Sequence, residues 1–291
     1  MSAAADPIAA ARLQPVARVP LLIEGVRVGS VAEAHLQRLS AWRQWIAVDE
    51  AATTPHPHVQ LLAPRASRDE ALAAMNAALR DEGFIRAWRD EPFSLLDPQD
   101  GRVLATFERA SARFWGTLTL GAHANGFVAD AAGRPTHLWI ARRAWNKATD
   151  PGCLDNLIGG GVPHGQTPLE TVVREGWEEA GLVPDQMRRL ANGRVIELDR
   201  DVPEGRQFER LHVYDLELDA SVVPANQDGE VAQIMRIEVE EAAQVALSGQ
   251  MTVDAALVTL DFLLRRDVLS GPQRLALAPR LEALWWSPRS T

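Results

Sequence analysis

Three carboxylates, Glu175, Glu178 and Glu179, stand three and four residues apart in the run Gly159 to Leu182, GGGVPHGQTPLETVVREGWEEAGL. On a helix this spacing crowds them onto one flank, where like charges repel by about 0.2–0.5 kcal/mol per pair. A hard divalent cation offsets such repulsion, because it takes carboxylate oxygens as ligands. Spacing alone would equally describe a solvated acidic face, so the setting has to decide. Arg174 precedes the set and is placed to orient the glutamates through ion pairs. Just upstream of the glycines, Arg142, Arg143 and Lys147 form a basic patch of the kind that anionic oxygens need.

The elements that must hold these groups can be read from the same stretch. Thr167, Pro168 and Glu170 give an N-cap, a proline at the first helical position and the glutamate of a capping box. Gly181 supplies the left-handed residue that ends a helix. Leu169, Val172, Val173, Gly176 and Ala180 recur at helical spacing and predict one apolar stripe. The glycine run, the Pro/Gly loop and the capped helix therefore form one unit.

That order closely resembles the Nudix box, G-x5-E-x7-R-E-U-x-E-E-x-G-U, where U is a bulky apolar residue. Gly160, Arg174, Glu175, Glu178, Glu179, Gly181 and Leu182 fall on its fixed positions. Two positions depart from it. Gln166 replaces the first glutamate and brings a carbonyl oxygen without charge, which weakens any metal contact there. Gly176 replaces the first bulky residue and is expected to let the helix approach a sheet. The resemblance implies an α/β fold, a Nudix α/β/α sandwich with a mixed sheet. It also implies magnesium, with manganese as the alternative, held by Glu175, Glu178 and Glu179, and metal-assisted attack of water on a diphosphate. Glu230, in NQDGEV, matches a downstream acidic position used in this family as a further ligand or base.

The remaining chain sets limits. Its 291 residues, 46% hydrophobic and 24% charged, are those of a globular protein with ample core. A net charge of −9 disfavours nucleic acid and acidic membranes as partners, but not a small anionic substrate met by local arginines. Cys153 is the single cysteine, so no intrachain disulfide forms and a reducing, cytoplasmic setting is expected. Neither a signal-peptide core nor a membrane-length apolar run appears. Residues 1–112 read as a small α+β domain and 113–291 as the Nudix domain with C-terminal helices. In the first, Leu21 to Val28 predicts a strand with a turn at Gly25, and Arg68 to Glu82 a helix closed by Gly83. His56 and His58 sit in an expected loop and are expected to be exposed. In the second, strands are predicted over Trp115 to Ala122 and Phe127 to Ala129, around a turn at Asn125-Gly126. Further strands are predicted over 137–142, 194–198, 209–218 and 231–239, followed by helices over 238–247 and 252–269 and a last one through Trp285 and Trp286.

Substrate choice must come from outside the box. WRDEPF, ERAS-R-FWG, GAHANGFV, LWIARR and the K-T-PG-LDN run together resemble the two-domain Nudix proteins similar to the N-terminal half of fungal thiamine pyrophosphokinases. The resemblance implies hydrolysis of thiamine diphosphate, or of its oxo and oxy analogues, to the monophosphate. Polar residues beside aromatics, Trp88, Arg89, His123 and Asn125, are then candidates for substrate binding, with Arg142, Lys147, Gly160 and Gly161. Trp88, Phe114, Trp115 and Trp145 are available as ring walls. Two alternatives stay open: another Nudix substrate, including isoprenoid diphosphate isomerisation with Cys153, and a non-catalytic metabolite sensor, which Gln166 would suit.

Overall fold

A short helix α1 (Pro7–Ala10), capped by Asp6, precedes a strand pattern broken at Glu24-Gly25. Both turn residues take positive φ, 53° and 81°, and the chain folds back there, pairing β1 (Arg18–Ile23) with β2 (Val26–Ala32). The expected single strand is thus a hairpin. The computed structural model describes residues 6–49 and 57–288, so His56 lies outside the described residues. After α2 (Leu36–Leu39) come β3 (Ile46–Asp49) and β4 (His58–Leu61), which complete a sheet of order β2-β1-β4-β3. His58 belongs to β4, half-buried, with Nε2 3.3 Å from Asp49 Oδ2.

Helix α3 (Arg68–Asp81) packs on this sheet and on the hairpin of β5 (Pro92–Leu96) and β6 (Val103–Glu108). One turn of helix, α4 (Ser111–Trp115), ends at Gly116 with φ 57°. Trp115 is therefore helical rather than the start of a strand. It is fully buried, and its Nε1 donates to Asn76 Oδ1 at 2.7 Å.

Strand β7 (Leu118–Ala129) is the axis of the larger unit and runs unbroken through Asn125-Gly126, where a turn was expected. Asn-Gly favours a turn only when the chain is free to take one. Here β12 pairs along one edge as far as Phe127, and Gly126 faces Trp139 across the other. Long-range pairing overrides the local preference. The other elements are β8 (Pro135–Arg143), β9 (Leu154–Asn156), β10 (Ile158–Gly161), α5 (Pro168–Ala180), α6 (Pro184–Met187), β11 (Leu190–Val202), β12 (Gly205–Glu217), β13 (Val231–Glu238), α7 (Val239–Ala246), α8 (Val253–Arg265) and α9 (Gly271–Glu282). The sheet order is β11-β12-β7-β8-β13, with β10 also on β7 and β9 on β8. It is mixed, because β12 runs parallel to β7 while β8 and β10 run antiparallel. Ala122, Ala124 and Trp139 pack under α5 and α6, and Phe127, Leu138 and Ile140 under α7 and α8. The result is an α/β/α sandwich carrying a smaller α+β unit. No helix among the described residues is long and apolar enough to cross a membrane. Trp285 and Trp286 lie beyond α9, where Trp285 Nε1 donates to Asp261 Oδ1 at 2.9 Å.

The two units are joined by ion pairs at the β11–β12 hairpin. Arg206 places two nitrogens on Asp199, at 2.6 and 2.7 Å, and its third reaches Ser30 Oγ at 3.1 Å and Gly116 O at 2.9 Å. Arg18 pairs with Asp201 at 2.8 Å and Arg113 with Glu204 at 3.0 Å. In return, Ile8 and Ala11 of the first segment pack into the core around α8. Arg206→Met should therefore lower unfolding stability by about 3 kcal/mol, since it strands a largely buried carboxylate. Urea denaturation tests this; a midpoint within error of wild type would mean the hairpin docks without Arg206.

Candidate active site

The glutamate helix is closed at both ends by the groups its sequence announces. Thr167 Oγ1 accepts from Glu170 N–H at 3.2 Å, and Glu170 Oε2 accepts from Thr167 N–H at 2.8 Å. Gly181 takes φ 65°. Val172, Gly176, Glu179 and Ala180 face the sheet, whereas Leu169 and Val173, expected in the same stripe, are exposed. The stripe is narrower because Gly176 lets the helix axis approach Ile158 and Met187: a Cβ there would lie 2.8 Å from Met187 Cε. Close approach at Gly176 leaves no room for Leu169 and Val173 underneath.

Glu179 is drawn to the buried side and accepts the Gly159 N–H at 2.8 Å. Glu175 and Glu178 face an open cleft, and Arg174 spans them at 2.8 and 2.5 Å. Burial pushes the Glu175 carboxyl above its ordinary range; Arg174 opposes this and Glu178 reinforces it. Burial and then the charge of Glu175 push Glu179 strongly the same way. One guanidinium is thus set against three crowded carboxylates. Among the described residues no group of three acidic, histidine or cysteine side chains is already gathered at ligating distance. The donor set is nonetheless all hard oxygen and short of positive charge, which fits a hard divalent cation. Gln166 directs its amide oxygen to Thr171 Oγ1 at 3.1 Å and Arg174 Nε at 3.5 Å.

Strand β10 forms the floor beneath these carboxylates. Gly160 lies on the helix side, where a Cβ would collide with Glu175 Oε1; Gly159 and Gly161 lie on the other face, opposite His123 and Gly121 of β7. The cleft in front holds about 510 Å³ and takes residues from both units: Glu175, Glu178 and Glu230 with Arg89, Arg109 and Lys147. Glu108 fixes its rim by accepting the N–H groups of Arg89 and Glu91 at 3.0 and 2.9 Å. Glu230 is paired with Lys147, and with Arg89 at 3.3 Å. Although burial raises its carboxyl, Lys147 and then Arg89 hold it below the usual range. Behind the glycine strand lies a chamber of about 130 Å³. Arg109, Arg113, Arg143 and Thr149 border both spaces, which therefore adjoin.

The candidate residues are distributed unequally between these spaces. Arg89, Lys147 and Gly160 line the cleft, and His123, Gly160 and Gly161 the chamber. Asn125 lines neither; it is buried, with its amide 3.5 Å from Asp215 Oδ1 and 3.4 Å from Val258 O. Arg142 is tied to Gly152 O at 2.8 Å, while its neighbour Arg143 borders both spaces. Arg143 pairs with Asp155 at 2.9 Å, and its Nε is buried without a partner. Of the expected ring walls, Phe114 and Trp115 are in the core of the small unit and Trp145 is 72% exposed. Trp88 is held by Asp90 and lies under Arg80. Phe93 and Phe208 line the chamber instead. Cys153 lines neither space, and burial pushes its thiol up. Sequence reasoning missed Arg113, Gln207, Glu209 and Asp254. A signal existed for two: Gln207 and Glu209 share a face of β12 with buried Leu211 and Val213, so they are polar residues on an inward period.

Residues 119–257 match the model described as NUDIX domain, and residues 7–119 match a domain of unknown function, DUF4743. Nudix hydrolase 20, chloroplastic, of Arabidopsis thaliana is 33% identical over 264 residues, covering 86% of this chain and 68% of that protein. Nudix hydrolase 24, chloroplastic, of the same plant is 32% identical over 271 residues, covering 90% and 72%. Among solved structures, DR0079 from Deinococcus radiodurans is 22% identical with a TM-score of 0.42, over 58% of this chain and 98% of that one.

The collision at Gly160 yields a test of the wall. Gly160→Ala should displace the Glu175 carboxylate and lower turnover about 100-fold, the usual cost of misplacing a reacting constellation by about 1 Å. Steady-state kinetics alongside a melting curve decides it: wild-type turnover in a folded variant would show that Glu175 need not lie against the strand.

Proposed function

Because this chain belongs to the Nudix hydrolase family and is a pyrophosphohydrolase, we propose that it cleaves thiamine diphosphate, or an oxidised oxo or oxy analogue, to the monophosphate and phosphate. The observation that carries the diphosphate part is a shared cleft. Glutamates of α5 stand in it beside Arg89, Arg109, Arg143 and Lys147, so carboxylates for a cation and donors for phosphate oxygens meet in one space. The thiamine part is supported by the motif set outside the box and by the size of the chamber. At about 130 Å³ the chamber is close to the roughly 150 Å³ cavity that holds one benzene ring, and it suits a single six-membered ring better than a purine.

In this reading Glu175, Glu178 and Glu179 hold the divalent cation, magnesium or manganese. When bound, it supplies Lewis-acid charge at the phosphate oxygens and lowers the pKa of attacking water. The protein's own part is to place and hold. Arg174 fixes the spread of Glu175 and Glu178 through its two ion pairs. Lys147, Arg89 and Arg109 give charge-assisted hydrogen bonds to the diphosphate, for which Lys147 and Arg89 would have to exchange Glu230. Water adds to the terminal phosphorus, its bond to the bridging oxygen breaks, and the organic monophosphate leaves. The proton lost by the water passes to a carboxylate of the cleft.

Phosphate release in magnesium across thiamine diphosphate, its oxo and oxy analogues, ADP-ribose and 8-oxo-dGTP tests the substrate. The thiamine set should lead by about tenfold or more, the discrimination expected of a fitted pocket; ADP-ribose in front would overturn the reading. Glu178→Gln and Glu179→Gln should each lower kcat about 100-fold with the fold intact. Near-wild-type turnover in both would remove the carboxylate set from the chemistry.

A further inference from the structure

The chamber behind the glycine strand is kept open by three glycines. A Cβ on Gly121 would lie 2.7 Å from Glu209 Oε1, one on Gly159 2.8 Å from the His123 ring, and one on Gly161 2.8 Å from the Phe93 ring. Any side chain at these positions would fill space that the sequence leaves empty. Arginines and carboxyl groups both border the space, and two of the carboxyls share one donor. Gln207 Nε2 donates to Glu209 Oε2 at 2.9 Å and to both oxygens of Asp254, at 3.1 and 2.9 Å. One amide is thus shared by two carboxyl groups, and among the described residues neither carboxyl forms an ion pair. The bordering arginines are committed elsewhere: Arg143 to Asp155, Arg206 to Asp199, Arg113 to Glu204 and Arg109 to Glu91. Burial, and after it the charge of Asp254, push the Glu209 carboxyl up, as a group short of a cation should behave.

His123 gives a second and independent sign of a ligand. It is 8% exposed and lines the chamber. Its Nδ1 lies 3.0 Å from Asn156 Oδ1, and the Asn156 amide nitrogen is turned toward Asn125 Oδ1, Ala255 O and Thr259 Oγ1 at 3.3, 3.4 and 3.1 Å. Those three acceptors fix the amide with its oxygen toward the histidine, so Nδ1 carries the proton. In the neutral ring the other nitrogen, Nε2, then offers a lone pair, and it has no partner among the described residues.

We propose that this chamber takes the organic end of the diphosphate substrate, and that Glu209, Asp254 and His123 select a single-ring heterocycle that is cationic and bears N–H donors. The proposal rests on the diphosphate reading of the outer cleft, which the chamber adjoins through Arg109, Arg113 and Arg143. Both spaces mix arginines with carboxylates, but among the described residues Glu209 and Asp254 of the chamber have no ion pair, and Lys147 and Arg89 line only the cleft. A cation at the organic end of the substrate would complete those two carboxyls. Phe93 and Phe208 supply the apolar walls a ring needs.

Ring binding is tested without turnover. At neutral pH 4-aminopyridine is a cation with N–H donors, aniline has the donors without the charge, and N-methylpyridinium has the charge without the donors. Saturation-transfer NMR titrations of the three against the full chain should show 4-aminopyridine binding about tenfold more tightly than either of the others. Glu209→Gln and, as a second variant, Asp254→Asn should each remove most of that advantage, with melting temperatures confirming the fold. Equal affinity of wild type for the three probes, or an advantage that survives in both variants, overturns the proposal. In a second arm, the ratio of kcat/KM for thiamine diphosphate to that for its oxy analogue, whose six-membered ring has lost the amino donor, should fall about tenfold in Glu209→Gln, and an unchanged ratio also overturns it. If wild type hydrolyses neither diphosphate, the thiamine reading fails, while the ring titrations still decide the chamber.

Discussion

The cleft and the chamber of this protein are separated by a wall one β-strand thick, and both have room beside it only because the wall has no side chains. Gly160 turns toward α5 and leaves room for the Glu175 carboxylate; Gly159 and Gly161 turn the other way and leave room beside His123 and Phe93. Alternation along a strand sends successive residues to opposite faces, so two cavities back to back require glycine on both periods. The backbone of the same strand also serves the helix, since the Gly159 N–H is donated to Glu179. Without this strand the carboxylates would have no floor and the chamber no wall toward the cleft.

Given that wall, the small N-terminal unit closes both spaces. It is fastened at the far side by Arg206, Arg18 and Arg113 and at the near side by β5, where Pro92 O accepts the His164 N–H at 2.7 Å. The second contact fixes the loop between the glycine strand and the glutamate helix. It also brings Phe93 to the chamber and Arg109 to the boundary between chamber and cleft. Ion pairs rather than apolar area hold the hairpin joint, and they set its orientation because each guanidinium has a fixed fork geometry. The Arg89–Glu230 pair crosses the mouth of the cleft and links the units at the point where an anionic substrate would enter.

Electrostatics along this path follow from burial. Glu175 and Glu179 are raised because they are taken out of water next to each other, and Glu209 because it is buried and then because Asp254 stands beside it, against the Gln207 amide. In each place the protein holds carboxyl groups short of positive charge, a costly arrangement unless a ligand completes it. The cleft and the chamber differ in the cation that suits them: carboxylates crowded on a helix flank suit a metal ion, and carboxyls in a chamber also lined by Phe93 and Phe208 suit an organic one.

The ends and the acidic flank of the glutamate helix were legible in the sequence, because capping, glycine termination and i,i+4 spacing are local rules that need no partner; the width of its buried stripe was not, since Leu169 and Val173 are exposed. The close approach at Gly176, the separate small unit and the family were legible too. The single turn at Asn125-Gly126 was not, since strand pairing by β12 and β8 outweighed its local preference. The same limit separated Arg143 from Arg142: adjacent arginines on one strand point to opposite faces, and only the sheet's neighbours decide which face holds the cleft. Trp115 and Phe114 looked like ring walls by composition, but burial in the small core was decided by α3 and β2. The chamber was invisible for a related reason. Glu209, Asp254, His123 and Phe93 come from four separate elements, and nothing local relates them. Their meeting depends on β12 lying parallel to β7 while α8 and the N-terminal hairpin dock at its end, which is a property of the tertiary structure alone.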